Sequence, residues 1–173
     1  PMAYLNVEEI EAALDALAAT YPTSCRLIAL PNATPEGRQS HALEIGTSTG
    51  HSAIWMAWGL SKTGGKLVTL EIDPARHAEA LKNFEAAGLA AFVDARLGDA
   101  HELVKQLPGP FDFVFSDADK DWYTQYFKDV DPKLQVGGCF TAHNVNRRGG
   151  GAALPSLVEI GLEQRCALRE RLA

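Results

Sequence analysis

Short apolar runs alternate with longer amphipathic ones along the chain. Asn6 followed three residues later by Glu9 reads as a capping box, opening a helix with Ile10, Leu14 and Leu17 on one face. Residues 20–40 read as a loop, punctuated by Pro22, Pro31, Pro35 and Gly37. A first strand is predicted over 41–45. A glycine-containing turn follows, then a helix carrying Ile54, Met56 and Trp58 that stops near Gly64 and Gly65. Residues 66–72 predict a second strand. Asp73 and Pro74 then supply a cap and a proline at the first position of a helix running to Gly88, a fitting C′ residue. A third strand is expected over 92–97, and Asp99 caps a short helix ending near Pro108. The run 111–116 reads as a central parallel strand buried on both faces. A helix over 122–130 and a strand over 138–143 complete the alternation. Residues 147–173 open with three glycines and read as one more helix, with Leu154, Leu157, Leu168 and Leu172 as its apolar positions.

Strands that alternate with helices predict a doubly wound α/β fold, a mainly parallel sheet joined by right-handed crossovers. No sixth or seventh strand is legible, so a C-terminal antiparallel strand pair is not expected. The length, 173 residues, suits a single domain over 1–173. Lys and Arg total 16 against 22 for Asp and Glu, a net charge of −6, which speaks against backbone-driven nucleic-acid binding. Small or uncharged substrates, or a cationic cofactor, fit better. No apolar run approaches the roughly 18 residues of a membrane span, and Glu8, Glu9, Glu11 and Asp15 are foreign to a secretory leader. Cys25, Cys139 and Cys166 form no CxxC pair, so a reducing cytoplasm is the expected compartment.

Ligands of open α/β sheets bind beyond the carboxyl ends of the strands. After the first predicted strand, Gly46 and Gly50 stand four apart at a strand-to-helix turn, where they either admit a ligand close to the backbone or simply make a tight turn. The sequence is neither G-x-G-x-x-G nor a phosphate-binding P-loop. Glu71 ends the second strand, where an acid can accept both hydroxyls of an unmodified ribose. Asp99 after the third strand suits an adenine amino group, a helix cap, or both. Asp117, Asp119, Lys120 and Asp121 cluster after the fourth strand, a set able to hold a hard cation. Lys120 is there a candidate general base, provided a metal or burial lowers its pKa. His143 and Asn144 after the fifth strand are either metal ligands or an ordinary turn.

Taken together, the segments LEIGTSTGHSAIWMA, LEIDP, GDA, FDFVFSDADKDWY and GGCFTAHNV resemble those of the cation-dependent O-methyltransferases, the group of catechol and caffeoyl-CoA O-methyltransferases. The resemblance covers about residues 2–146 and implies a class I methyltransferase fold, Rossmann-like in its winding. It further implies that Val7, Glu44, Gly46, Thr47, Ser52, Glu71, Asp99, Ala100 and Asp117 hold S-adenosyl-L-methionine. Asp117, His143 and Asn144 would hold a divalent cation, and Lys120 beside Asp117 would deprotonate a substrate hydroxyl. The family has Asp-Asn where this chain has His143-Asn144, a change that shifts preference from Mg²⁺ toward Mn, Co or Zn. The family's further N-terminal helices are expected to be missing or reduced here. Two other readings stay open: a cofactor-binding protein of the same fold with little activity, and a nicotinamide dehydrogenase, which the missing G-x-G-x-x-G disfavours. A homodimer is open as well.

Overall fold

The computed structural model describes residues 39–143 and, apart from them, Ala12. The expected N-terminal helix, the tail 147–173, Val7 and Asn144 therefore lie outside the described residues. Strand β1 is His41–Ile45, followed by α1 (His51–Thr63), β2 (Lys66–Glu71), α2 (Pro74–Ala86) and β3 (Val93–Leu97). Then come α3 (Ala100–Gln106), β4 (Phe111–Ser116), α4 (Tyr123–Val130) and β5 (Leu134–Ala142). All pairings are parallel, in the order β3-β2-β1-β4-β5. The order reverses at β1, which occupies the centre of the sheet. Among the described residues no helix is long and apolar enough to cross a membrane.

Helix boundaries follow local chemistry. The Asp73 carboxylate accepts from the amides of Ala75 (2.8 Å) and Arg76 (2.9 Å), with Pro74 at a position that needs no donor. Asp99 accepts from the amide of His101 (2.9 Å) and so opens α3. Helices α1 and α2 cover one sheet face, where Ala53, Ile54, Ala57, Ala80 and Phe84 meet Ala42 and Leu67. Helices α3 and α4 cover the other, bringing Val104, Tyr123, Tyr126 and Val130 against Leu43, Ile45, Leu70 and Val114.

Two strands depart from expectation. Strand β4 has β1 and β5 as neighbours, but it is not the centre, and Phe113 and Phe115 are only half-buried. Strand β5 begins at Leu134, not at 138, because its pairing jumps from Phe111–Leu134 to Phe113–Cys139. The extra residues bulge out at Gly138, where a Cβ would lie 2.8 Å from the Gln135 carbonyl oxygen. A glycine pair that reads as a boundary is here a kink inside one strand.

The β1–α1 turn is tied into the sheet. The amides of Gly46 and Thr47 both donate to the Leu70 carbonyl, at 3.1 and 3.0 Å, and the Asp117 amide donates to the Ile45 carbonyl at 2.8 Å. Gly46 has φ +102°, and a Cβ there would meet the Asp117–Ala118 peptide at 2.9 Å. Below the turn runs a buried polar chain. Ser52 and Thr69 donate to opposite oxygens of Glu44, and Thr69 also meets the Thr47 hydroxyl at 2.5 Å. Glu44 is wholly buried, and desolvation, opposed by its two hydroxyl donors, raises its pKa from 4.5 to about 7; Asp117 and Glu71 add to the rise.

Two expectations follow. Gly46→Ala adds strain and a backbone clash and should cost at least about 2 kcal/mol in chemical denaturation. Gly88→Ala, with φ +70° but open space around it, should cost only about 1 kcal/mol. Equal losses would contradict the packing assigned to Gly46. For Glu44, the folded pKa lies above the unfolded one, so the unfolded chain sheds its proton first as pH rises. The contribution of Glu44 should be full below about pH 4.5 and fall by roughly 3 kcal/mol by pH 7 to 8. Urea unfolding from pH 5 to 8 should therefore show Glu44→Gln gaining on the wild type; a pH-independent difference would contradict the burial argument.

Candidate functional site

The carboxyl ends of β1 to β5 surround a cavity of about 720 Å³, a size suited to a small-molecule ligand. Gly46, Thr47, Glu71, Asp99, Ala100, Asp117 and His143 all line it, so the turns after five different strands contribute. Glu71 is 5% exposed, and each of its oxygens is fixed by a backbone amide: Oε2 accepts from Ser48 at 2.7 Å and Oε1 from Asp73 at 2.9 Å. Each oxygen keeps a lone pair free for a further donor. Beyond the carboxylate, Ile72 exposes 66% of its surface at the cavity wall, a flat apolar face beside the polar end of β2.

Glu44 and Ser52 stand apart from this arrangement. Ser52 lines the cavity, but its hydroxyl is committed to Glu44, whose carboxylate is buried behind it in the polar chain. Thr47 likewise spends its hydroxyl on Thr69. The side-chain oxygens of these residues are engaged with one another beneath the turn, although Thr47 and Ser52 still line the cavity, whereas Glu71 presents its carboxylate to it.

The far end is built by the β4 and β5 turns. Asp117 Oδ1 lies 3.1 Å from His143 Nδ1 and 3.9 Å from Lys120 Nζ. Two donors bound side by side to one ion at about 2.1 Å would sit about 3 Å apart, so Asp117 and His143 fit a shared cation. Among the described residues no three His, Cys, Asp or Glu side chains form a metal-holding group. The Tyr123 hydroxyl donates to the His143 carbonyl (3.0 Å) and fixes the end of β5. Burial, with the charges of Asp117 and Asp119 adding to it, pushes the Tyr123 pKa up to about 12, so the donor keeps its proton. Phe115 and His143 stand 6.2 Å apart, ring centre to ring centre, as an aromatic wall.

Glu71, Asp99, Ala100, Asp117, Lys120 and His143, marked by the sequence, come together at one end of the sheet. His101, Trp122, Tyr126 and Phe115 carry no such mark. His101 and Trp122 stack at 3.8 Å, yet they are far apart in sequence on unremarkable helical positions, and no local pattern marks the contact. Phe115 and Tyr126 read only as core hydrophobes.

A model of the O-methyltransferase family matches residues 27–154, most of the chain. A catechol O-methyltransferase of Niastella koreensis is 46% identical over 111 residues, which cover 62% of this chain and 50% of that one. A catechol O-methyltransferase of Mycobacterium tuberculosis is 41% identical over 110 residues, covering 62% and 49%. The chain thus spans about half the length of the curated relatives it matches. The crystal structure of an O-methyltransferase from Bacillus cereus in complex with SAH superposes with a TM-score of 0.62 at 28% identity, covering 88% of this chain and 75% of that one. By the family match over most of its length, the chain belongs to the O-methyltransferase family.

Proposed function

We propose that the protein is an S-adenosylmethionine-dependent O-methyltransferase that moves a methyl group to a hydroxyl of a small, catechol-like substrate with the help of a divalent cation. The observation that carries the reading is Glu71, held by two amides at the end of β2 and lining the cavity that Asp117 and His143 also line. A ribose with two free hydroxyls matches its two remaining acceptor positions. Asp99 and Ala100 at the start of α3 line the cavity and would hold the adenine, and Ile72 would offer that ring an apolar face. Gly46 brings the β1–α1 turn to the cavity wall, along which the rest of the cofactor would lie, and Val7 would close over it. The acids Glu71, Asp99, Asp117 and Asp119 give the cavity the sign that attracts a sulfonium and an ammonium group.

When bound, the cofactor supplies an electrophilic methyl group. Asp117, His143 and Asn144 would hold the cation, which when bound supplies a Lewis acid for the substrate hydroxyl. Lys120 would accept the hydroxyl proton at Nζ. Phe115 and the His143 ring would hold an aromatic substrate in line with the methyl group. The names of the catechol O-methyltransferase relatives and the soft nitrogen of His143 support this substrate class and a preference for Mn, Co or Zn. A reducing cytoplasm suits both the cysteines and the soluble substrate.

A methyl-transfer screen with catechols, with Mg²⁺, Mn²⁺, Co²⁺ or Zn²⁺ or with a chelator, tests the whole reading. Turnover that disappears on chelation is expected; cation-independent turnover would remove the metal from the scheme. Glu71→Ala should weaken S-adenosylhomocysteine binding by roughly 1.5–3 kcal/mol, measured by calorimetry. Unchanged affinity would remove the ribose contact. Lys120→Ala should lower kcat on the order of 100-fold and leave that affinity within about twofold. An unaffected rate would exclude Lys120 as the base.

A further inference from the structure

One imidazole grips both ends of the short segment that carries Lys120. The His101 Nε2–H donates to Asp119 Oδ2 at 2.8 Å, immediately before Lys120. The Trp122 ring stacks on the same imidazole at 3.8 Å, with 23° between the planes, two residues after Lys120. His101 is itself anchored in the first turn of α3. Asp99 accepts from its amide, and Asp99 Oδ1 lies 3.3 Å from its Nδ1. The segment itself is a single 3-10 turn, closed by the Trp122 amide on the Asp119 carbonyl at 3.3 Å and by the Tyr123 amide on the Lys120 carbonyl. The Tyr126 hydroxyl shares the Asp119 carboxylate, so Asp119 is held from α4 as well as from α3. Trp122 is 37% exposed, and its ring packs on His101 and, at 6.4 Å between ring centres, on Tyr126.

We infer that His101 is a positioning residue: by pinning Asp119 and Trp122 to the first turn of α3, it fixes where Lys120 Nζ stands relative to Asp117. Lys120 is half-exposed and 3.9 Å from Asp117, with its Nζ 5.9 Å from the centre of the Tyr123 ring. None of those contacts is close enough to hold a long, flexible side chain at a reacting atom, so its backbone has to be held instead. A base displaced by about 1 Å loses a large part of its rate. Because α3 also carries Ala100 at the cavity, His101 couples the cofactor end of the site to the base at the other end.

The inference rests on the proposed function for its catalytic consequence, but not for its structural one. Amide hydrogen exchange on the unliganded protein is the first readout. His101→Ala should raise exchange at residues 119–123 about tenfold and leave 102–106 unchanged, since Asp99 still caps α3. His101→Gln keeps a donor and His101→Phe keeps a stacking ring, so each should fall between the wild type and His101→Ala. The second readout is kinetic. His101→Ala should lower kcat about 10- to 100-fold, with the dissociation constant for S-adenosylhomocysteine changed less than threefold. Unchanged exchange at 119–123 would overturn the inference. So would an affinity loss as large as the loss in kcat, which would make His101 a cofactor contact. A wild type that binds no S-adenosylhomocysteine would overturn the proposed function instead, and the exchange readout would still decide the positioning.

Discussion

The peptide of Asp117–Ala118 lies so close to Gly46 that no side chain fits between them, and this contact joins the two turns on which the site is built. The closeness follows from the sheet. Ile45 pairs with Ser116, and the ladder continues one step further, as the Asp117 amide reaches the Ile45 carbonyl. On the other side the Gly46 and Thr47 amides reach Leu70. The floor of the cavity is therefore an extension of the β2-β1-β4 ladder, and its geometry is as rigid as the central strands. A turn held this way gives a ligand a fixed surface without spending side chains on it.

That constraint sorts the polar groups into two sets. Behind the turn, Glu44, Thr47, Ser52 and Thr69 satisfy one another in a dry polar chain, and Glu44 accepts its burial by a raised pKa. In front of it, Glu71 at one end and Asp117 and His143 at the other line the cavity, with Lys120 Nζ 3.9 Å behind Asp117 Oδ1. The first set makes the frame, and the second offers acceptors and charge to a ligand. Such a division explains why two glutamates only one strand apart play different parts: the side chain of Glu44 points beneath α1, whereas Glu71 ends its strand at the cavity.

Much of this was legible in the sequence. Caps such as Asp73-Pro74 and Asp99 act within a few residues, so helix starts could be read directly. Parallel strands announce themselves as short apolar runs, and the carboxyl-end rule then collects Glu71, Asp99, Asp117 and His143 without any coordinates. What stayed hidden was non-local. The bulge in β5 depends on its register with Phe111, and Gly137-Gly138 alone reads as a break. The stack of His101 on Trp122 needs α3 and the β4–α4 turn to be folded together before it exists. The burial of Glu44 is likewise set by α1 lying over it. Val7 and Asn144, implied by the family resemblance, lie outside the described residues.

The most direct test is calorimetric titration of the wild-type protein with S-adenosylhomocysteine, with NADH as the comparison. The cavity described above predicts one-to-one binding of S-adenosylhomocysteine and none of NADH: both ligands carry a ribose with two free hydroxyls, but the β1–α1 turn lacks the glycines that hold the pyrophosphate of NADH. Absence of S-adenosylhomocysteine binding, or binding of NADH in its place, would contradict the account.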